Sequence, residues 1–224
     1  MVIYARKVSR NYTQDFWALK CDIRKFFDSV DHDILLKLIR AKIKDVDVIW
    51  LLEEIITGFE IEKGKGIPIG NLISQLFSNI YLNELDQFVK NEMKVKHYAR
   101  YADDFILLHQ NREELTKSME NIKSFLAEKL KLNLHPRKVS LRKFSWGIDF
   151  VGYVALPHHQ VLRTKTKRRV FRKIARKIKD YRLGEIEEVT LNQSIASYLG
   201  ILKHANTYKL GEDLRNQVWY WLGS

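Results

Sequence analysis

Alternation of apolar and polar positions predicts a strand near the start of the chain. Segment 16–23, FWALKCDI, alternates apolar residues with a face that carries Lys20 and Asp22, a period-two pattern typical of a half-buried strand. Asp31 then precedes apolar residues at helical spacing, so we expect it to cap a helix. A second helix is predicted over 46–57, ending at Gly58.

Glycines delimit the next predicted elements. Segment 61–70, IEKGKGIPIG, has the composition of a loop, and a long amphipathic helix is expected from Gly70 to about Lys90. Four apolar residues near helical spacing predict the inner side of this helix. They are Leu72, Leu76, Ile80 and Phe88.

Short β-rich runs and a long helical pattern follow. Residues 97–108, HYARYADDFILL, contain two apolar runs around a polar Ala-Asp-Asp and predict a hairpin. A helix is predicted next, followed by two strands, and 163–222 has a helical pattern throughout. The helix covers 112–130, and the two strands cover 138–143 and 149–155. The fold class predicted from this order is α+β, with a composition shift near Pro157.

Composition narrows the class of protein. The chain has 224 residues, 46% of them hydrophobic, which is enough to bury a core without disulfides or structural metal. Its single cysteine, Cys21, excludes an internal disulfide and a multi-thiolate zinc site. The apolar runs are far shorter than the ~20 residues of a membrane span. No apolar run near the start suggests secretion, so a cytoplasmic protein without a membrane partner is expected.

Positive charge is concentrated in one segment. The net charge is +12, and residues 163–182 hold eleven Lys or Arg against one Asp. A +4, +4, +3 spacing of Val170, Ile174, Ile178 and Tyr181 predicts an apolar stripe, which leaves the rest of that helix basic. A face with one sign of charge favours binding to nucleic-acid phosphates. The predicted contacts are Arg163, Lys165, Lys167, Arg168, Arg169, Arg172, Lys173, Arg176 and Lys177.

Carboxylates in apolar surroundings are the candidate chemistry. Asp103 and Asp104 lie in the predicted hairpin, where two adjacent acids either form a solvated turn or share a cation. Asp22, on the polar side of the first strand, favours the second reading, because three carboxylates suit Mg²⁺. Two such ions activate the attacking and leaving oxygens in phosphoryl transfer. Together with the basic helix, this pattern allows either a nuclease or a polymerase.

Ordered motifs at these residues resemble those of reverse transcriptases. The first motif contains Asp22, and the YxDD box contains Asp103 and Asp104. Five blocks in the right order are much more specific than YxDD alone. They are KCDIRKFFD (20–28), GIPIGNLISQLFSNIYLNELD (66–86), YADD (101–104), LNLHPRKVSL (132–141) and FVGYV (150–154), and SIASYLGILKHANTY (194–208) resembles the thumb of group II intron-like enzymes.

The resemblance implies roles at the matching positions. Asp22 and Asp103 would be the principal ligands of two Mg²⁺ or Mn²⁺ ions, assisted by the Ile23 carbonyl, with Asp104 as a supporting carboxylate. Lys138 would protonate the pyrophosphate leaving group, and the neighbouring Arg137 is the alternative. The implied substrates are deoxynucleoside triphosphates, and the implied partners are template RNA and a primer or cDNA strand.

Further roles concern the nucleotide and the primer. Phe27 would act as a steric gate against the 2′-hydroxyl of a ribonucleotide, although a core phenylalanine is the plainer reading. The resemblance places Ile69, Gly70 and Gln75 at the nucleotide. The primer grip would comprise Phe150, Val151, Gly152 and Tyr153.

The central block resembles one branch of the family in particular. Most relatives have Pro-Gln-Gly where this chain has Pro68-Ile69-Gly70, and Ile69 followed by GNLISQ resembles enzymes of diversity-generating retroelements. These copy template RNA into cDNA with errors mainly at template adenines. Isoleucine forms no side-chain hydrogen bond, so a polar check on base pairing would be missing there. The branch also implies a small basic accessory variability protein as a partner.

The resemblance divides the chain into three parts. Residues 1–14 would be a remnant of largely absent fingers, 15–155 a palm with a ferredoxin-like antiparallel sheet, and 156–224 an all-helical thumb. Arg6, Lys7 and Arg10 would be remnants of finger contacts to the triphosphate. The alternatives are a group II intron-like or other bacterial reverse transcriptase, a non-catalytic RNA-binding module without fingers, and a metal-dependent nuclease.

Overall fold

The computed structural model describes residues 2–203 and 205–223. His204, which is part of the predicted thumb block, lies outside the described residues. The chain divides into two compact units, one up to Lys143 and one from Phe144 onward. The predicted change from palm to thumb lies further along, between 155 and 156, and the assignment of residue ranges to these parts stays a prediction.

The first unit is built on a four-stranded antiparallel sheet in the order β2-β3-β1-β4. Its connectivity, strand–helices–strand–strand–helix–strand, is that of a ferredoxin-like fold. This arrangement confirms the predicted α+β class. The elements are α1 (Val2–Val8), β1 (Trp17–Asp22), α2 (Phe26–Ser29), α3 (His32–Lys42), α4 (Val46–Thr57), α5 (Leu72–Gln87), β2 (Tyr98–Tyr101), β3 (Asp104–His109), α6 (Arg112–Leu130) and β4 (Ser140–Lys143), with a π-helical turn (Phe88–Glu92) after α5.

Strand β1 lies in the interior of the sheet, between β3 and β4. The expected half-buried pattern is therefore wrong: Leu19 and Cys21 are buried on one side, and Ala18 and Asp22 are buried on the other. A central strand covered on both faces leaves few exposed positions. Asp22 is thus a carboxylate held in a mostly buried strand end.

Helix boundaries in this unit follow local capping signals. The Asp31 carboxylate accepts a hydrogen bond from the Ile34 N–H at 3.1 Å and caps α3, as predicted. Helix α4 ends at Thr57 before Gly58, also as predicted. Helix α5 begins after Asn71, whose side chain accepts from the Ser74 N–H at 2.7 Å. The expected start at Gly70 was therefore two residues early.

The buried side of α5 differs from the prediction. Leu72 and Leu76 are 80% and 56% exposed, whereas Phe77 and Tyr81 are buried. The other two predicted residues, Ile80 and Phe88, are partly buried and pack against the core, so the buried side of α5 is shifted toward the two large aromatic side chains. The Tyr81 hydroxyl also donates to the Leu130 carbonyl at 2.7 Å, which joins α5 to the end of α6.

Among the residues that the structure describes, the second unit contains a three-stranded antiparallel sheet, three α-helices and a 3₁₀ turn (Phe144–Trp146). The strand predicted over 149–155 is instead a hairpin, because Val151 and Gly152 both have positive φ angles and form a two-residue turn. A third strand, not predicted, follows Pro157. The elements are β5 (Ile148–Phe150), β6 (Tyr153–Leu156), β7 (His159–Leu162), α7 (Thr164–Arg182), α8 (Glu188–Leu202) and α9 (Tyr208–Gly223).

Helix α7 buries the predicted apolar stripe. Val170, Ile174 and Ile178 are buried, and Tyr181 packs against the same core. That core also contains Leu191 of α8 and apolar residues of α9. In the part of the chain that the structure describes, no helix is both long and apolar enough to cross a bilayer.

Candidate active site

Three acidic residues meet at one end of the two central strands. In the antiparallel pairing of β1 with β3, Asp22 lies directly opposite Asp104, so both residues are on the same side of the sheet. The Ile23 N–H donates to the Asp103 carbonyl at 3.2 Å, which holds the hairpin turn beside the end of β1. The structure therefore brings together residues that are about eighty positions apart in the sequence.

Lys138 also belongs to this cluster. Its ammonium group contacts the two carboxylate oxygens of Asp22 at 3.0 and 2.8 Å. Two backbone hydrogen bonds hold the segment before it against the end of β1, from the His135 N–H to the Asp22 carbonyl at 2.7 Å and from the Arg24 N–H to the Asn133 carbonyl at 2.8 Å. The Lys138 side chain is 56% exposed, whereas that of Asp22 is 9% exposed.

Electrostatics at the cluster reflect crowded negative charge. Burial raises the pKa of Asp103, and the charge of Asp22 raises it further. The pKa of Asp104 is raised by burial and by the charges of Asp22 and Asp103, against an opposing effect of Lys20. The hydrogen bond to Asp22 raises the pKa of Lys138. The excess of carboxylates is therefore only partly compensated by the two lysines.

The contacts of two basic residues at the site, Lys20 and Arg100, were not predicted. Lys20 lies 3.8 Å from the Asp104 carboxylate. Its position two residues before Asp22 places it on the same face of β1, a signal that the sequence did contain. Arg100 donates to both oxygens of Asp86 at 2.9 and 2.7 Å and to the Ala102 carbonyl at 3.1 Å. It therefore connects α5 to the turn that carries Asp103.

Ala102 adopts a left-handed backbone conformation within this turn. Its φ angle is 52°, which is uncommon for a residue with a Cβ atom. The Arg100 contact and the bond from the Ile23 N–H fix the turn on both sides. Such strain persists where the surroundings determine the conformation, and it is common at functional sites.

Two of the predicted nucleotide contacts line one cavity. Phe27 and Gln75 face a cavity of about 490 Å³ together with Tyr101 and Ala102. Phe27 is half-buried and packs edge-to-face against Phe26, with ring centroids 5.3 Å apart. The cavity is thus adjacent to the YADD turn, where a gate on the nucleotide sugar is expected.

The other two predicted nucleotide contacts are not among the residues that line this cavity. Ile69 is 75% exposed, and Gly70, with a φ angle of 100°, lies in the loop before α5. Gly70 has no other atom near the position of an added Cβ, so its requirement is conformational rather than steric.

The remaining predicted contacts lie in the second unit. Phe150 and Tyr153 are paired across the β5–β6 hairpin, with Val151 and Gly152 in its turn. The basic residues of α7 are exposed, apart from the half-buried Lys177. Two of the predicted contacts form ion pairs, Arg163 with Asp149 at 2.8 Å and Arg176 with Asp180 at 3.9 Å. Most of the basic face is therefore open to an external anion.

The carboxylates of the acidic cluster can be compared with the ligands that a metal ion needs. Within residues 2–203 and 205–223, no group of three His, Cys, Asp or Glu side chains is arranged to hold a metal ion by itself. Burial raises the pKa values of Asp103 and Asp104, and the charge of Asp22 beside them raises both further. Mg²⁺ takes one or two carboxylates together with substrate phosphates. The residues present fit that partial ligand set.

This sheet, with acids at the ends of its two central strands, has the arrangement of a polymerase palm, and comparison with solved structures supports the fold. The chain is similar in fold to the telomerase of Candida tropicalis in complex with a TWJ fragment of telomeric RNA, at a TM-score of 0.59 and 13% identity, over 99% of this chain and 40% of that one. Residues 3–200 match the family described as reverse transcriptase (RNA-dependent DNA polymerase). The chain belongs to this family.

The chain is also similar in sequence to two curated proteins. Protein YkfC of Escherichia coli K12 is 28% identical over 69% of this chain. The group II intron-encoded protein LtrA of Lactococcus lactis subsp. cremoris is 26% identical over 66% of this chain. The matches span 49% of YkfC and 36% of LtrA, so the chain covers less than half of the length of either relative.

Proposed function

We propose that this chain provides the catalytic core of an RNA-directed DNA polymerase, which copies a template RNA into cDNA. The observation that carries the proposal is the convergence of Asp22, Asp103 and Asp104 at one end of β1 and β3, beside Lys138. The family match and the basic face of α7 support it, because a polymerase must hold a polyanionic duplex.

In the proposed mechanism, the carboxylates of Asp22 and Asp103 would hold two Mg²⁺ or Mn²⁺ ions, and Asp104 and the Ile23 carbonyl would support them. Such ions, when bound, stabilise the attacking 3′-oxygen and the leaving oxygen of the triphosphate. Lys138 holds a proton close to these carboxylates and gives it to the departing pyrophosphate. Phe27 lies under the sugar of the incoming deoxynucleotide and excludes a 2′-hydroxyl.

The test is primer extension on an RNA template by the wild-type chain and by Asp103→Ala. Synthesis that depends on Mg²⁺ and is lost in the variant would support the proposal. Equal extension by both proteins would refute the catalytic assignment. Glu120→Gln, an exposed change on α6, is the matched control and should extend primers like the wild type.

The finer proposal is that the enzyme is of the diversity-generating type. It rests on Ile69 in the place of the usual glutamine and on the GNLISQ segment that follows. Errors would then occur mainly opposite template adenine, and a small basic accessory variability protein would assist. A group II intron-like activity is the alternative within the family, and the similarity to LtrA favours it.

A non-catalytic RNA-binding module is the second candidate function. The observation in its favour is the ion pair of Lys138 with both oxygens of Asp22, which engages a carboxylate that a metal ion would need. This candidate predicts RNA binding that weakens with salt and no synthesis under any metal condition. The same primer-extension experiment distinguishes it from the polymerase.

A further inference from the structure

A second cavity lies in the first unit, at the far end of the strand pair from the acidic cluster. It has a volume of about 420 Å³ and is bordered by His109, which pairs with Trp17 at the other end of β1 and β3. Asp104 and His109 are the two ends of β3, which places the cavity roughly 17 Å from the carboxylates at ~3.4 Å per residue.

The rim of this cavity is strongly basic. Four side chains that are cationic at neutral pH line it, from the end of α1 or just after it and from the segment before β2, and two histidines lie among them. No ion pair among the described residues involves any of the four. The four are Lys7, Arg10, Lys94 and Lys96. The expectation that Lys7 and Arg10 contact the triphosphate at the acidic cluster is therefore wrong, because they line a cavity at the opposite end of β1 and β3.

One carboxylate faces the same cavity, and it already has a partner. Glu114 forms an ion pair with Lys117 at 3.1 Å on α6. The negative charge of Glu114 is thus balanced within its own helix, and the four cations of the rim are not neutralised by the protein. Four like charges around one cavity repel one another unless an external anion is bound.

The floor of the cavity adds polar and apolar contacts. Leu108 and Leu115 are buried beneath it. The Nδ1 atom of His97, in its wall, is buried and has no hydrogen-bond partner. Buried polar atoms without a partner are rare and call for a ligand or water. The volume falls within the range of small-molecule sites.

Two of the four cations lie at residues with an unfavourable backbone conformation. Arg10 and Lys94 have φ angles of 49° and 54°, the left-handed region that side chains other than glycine seldom adopt. Arg10 is followed by two more residues of the same kind, Asn11 and Tyr12. The chain therefore maintains unfavourable backbone conformations on both sides of the basic rim, as functional sites commonly do.

We propose that this cavity binds a triphosphate group at a site separate from the polymerase centre. A triphosphate carries about four negative charges near neutral pH, which matches the four unpaired cations, and charge-assisted hydrogen bonds from Lys and Arg are the usual recognition of phosphate. The group has two sources, a free nucleoside triphosphate and the 5′-triphosphate end of an RNA strand. The proposal does not depend on the polymerase assignment.

Inorganic tripolyphosphate is the probe, because it contains the triphosphate group that both sources share. Binding to the full chain is measured calorimetrically in EDTA, so that metal-dependent binding at the acidic cluster does not contribute. The double variant Lys7→Gln/Lys96→Gln should raise the Kd for tripolyphosphate roughly tenfold or more. The control, Lys37→Gln/Lys42→Gln, removes the same charge from exposed positions of α3 and should leave the Kd nearly unchanged.

A second measurement shows where tripolyphosphate binds, so that loss of the site can be told apart from loss of folding. Tripolyphosphate should shift the imidazole ¹⁵N resonances of His97 in the wild type and in the control variant. No binding at millimolar concentration, equal weakening in the two double variants, or an unshifted His97 would each overturn the proposal.

The source is identified with two short RNAs of one sequence, one ending in a 5′-triphosphate and one in a 5′-hydroxyl. If the Lys7→Gln/Lys96→Gln variant weakens only the first RNA, the cavity binds RNA ends. If the variant affects both RNAs equally and weakens ATP binding, the cavity binds free nucleotides. Either result supports the triphosphate site, whereas unchanged affinity for all three ligands would exclude it.

Discussion

The ammonium group of Lys138 contacts both carboxylate oxygens of Asp22, at 3.0 and 2.8 Å. This contact raises the pKa of Lys138, so its proton is held firmly in the structure described. A divalent cation at Asp22 would compete with the ammonium group for the same oxygens. Release from Asp22 would lower the pKa of Lys138 and make it a stronger acid at the moment when pyrophosphate leaves.

The first prediction concerns this proton. Lys138→Arg keeps the positive charge but removes an acid of suitable strength, because arginine stays protonated. We expect kcat for nucleotide addition to fall about 100-fold, as general acids contribute roughly 10²–10⁴. Arg137→Lys, at the adjacent residue, should leave kcat nearly unchanged. Single-turnover primer extension measures the rate of the chemical step in both variants, and an unchanged rate in Lys138→Arg would refute the role of Lys138 as the proton donor.

Crowded carboxylates should cost stability, which gives a second prediction. Burial and the charge of Asp22 raise the pKa of Asp103. A raised native pKa favours the protonated form, so its contribution to stability is present below the pKa of the unfolded chain and is lost as pH rises through the native pKa. Asp103→Asn should therefore raise the melting temperature at neutral pH and have little effect in acid.

Thermal unfolding across pH measures this effect. For a chain of this size, each kcal/mol gained corresponds to about 2–4 °C. Glu120→Gln, which removes an exposed carboxylate from α6, should show no such pH-dependent gain. A lower melting temperature for Asp103→Asn at neutral pH would mean that the ionised Asp103 is well compensated in the protein.

A third prediction concerns sugar selection at Phe27. Its ring lines the cavity next to the YADD turn, so Phe27→Ala should admit the 2′-hydroxyl of a ribonucleotide. Discrimination between deoxynucleotides and ribonucleotides, as the ratio of kcat/KM values, should fall roughly tenfold or more. Phe27→Tyr retains the ring and should retain the discrimination. An unchanged ratio in Phe27→Ala would mean that Phe27 only packs against its neighbours and does not select the sugar.

The fourth prediction addresses copying errors. Ile69 is 75% exposed, so Ile69→Gln should fold normally and supply the missing hydrogen-bonding group. Misincorporation opposite template adenine should fall roughly tenfold, corresponding to about 1–2 kcal/mol of net hydrogen-bond energy. Leu72→Gln, at a nearby residue that is 80% exposed, is the control. Sequencing of the cDNA measures both, and an unchanged error spectrum would remove Ile69 from the proposal.

The fifth prediction concerns the support of the YADD turn. Arg100 and Asp86 form a two-point ion pair with side chains only 10% and 20% exposed. Arg100→Met should lower the free energy of unfolding by about 3–5 kcal/mol, because it leaves a largely buried carboxylate unpaired. It should also lower kcat, since the Ala102 carbonyl loses its donor.

An exposed ion pair provides the comparison. Arg40 contacts Glu53 at 2.6 Å, with side chains 51% and 40% exposed. Arg40→Met should cost no more than about 1 kcal/mol. Urea unfolding distinguishes the two variants. Equal costs would show that the Arg100 pair has no structural role beyond that of a surface contact.

Local signals account for much of what the sequence predicted correctly. The hairpin at 97–108, the Asp31 cap and the helices over 46–57 and 112–130 are formed as expected. Each depends on residues within one or two turns of the chain, such as a capping carboxylate or alternating apolar residues. The motif order was equally informative, since it predicted that Asp22 lies near Asp103, and the pairing of β1 with β3 brings these two segments together.

Features that depend on distant neighbours were predicted less well. The predicted buried side of α5 was only partly right: Ile80 and Phe88 pack against the core, but Leu72 and Leu76 are exposed and Phe77 and Tyr81 are buried instead. The pairing of Arg100 with Asp86 joins residues on different elements, and no spacing in the sequence signals it. Strand β7 was missed because its pairing with β6 follows a Pro157-His158 turn that separates two very short segments.

The alignment of β1 with β3 has one more consequence. Side chains alternate sides along a strand, so a shift of this pairing by a single position would turn the Asp22 carboxylate away from Asp104. One inserted residue between Trp17 and Asp22 should therefore abolish polymerisation even in a protein whose circular dichroism is unchanged. This short stretch therefore tolerates the replacement of residues but not a change in its length.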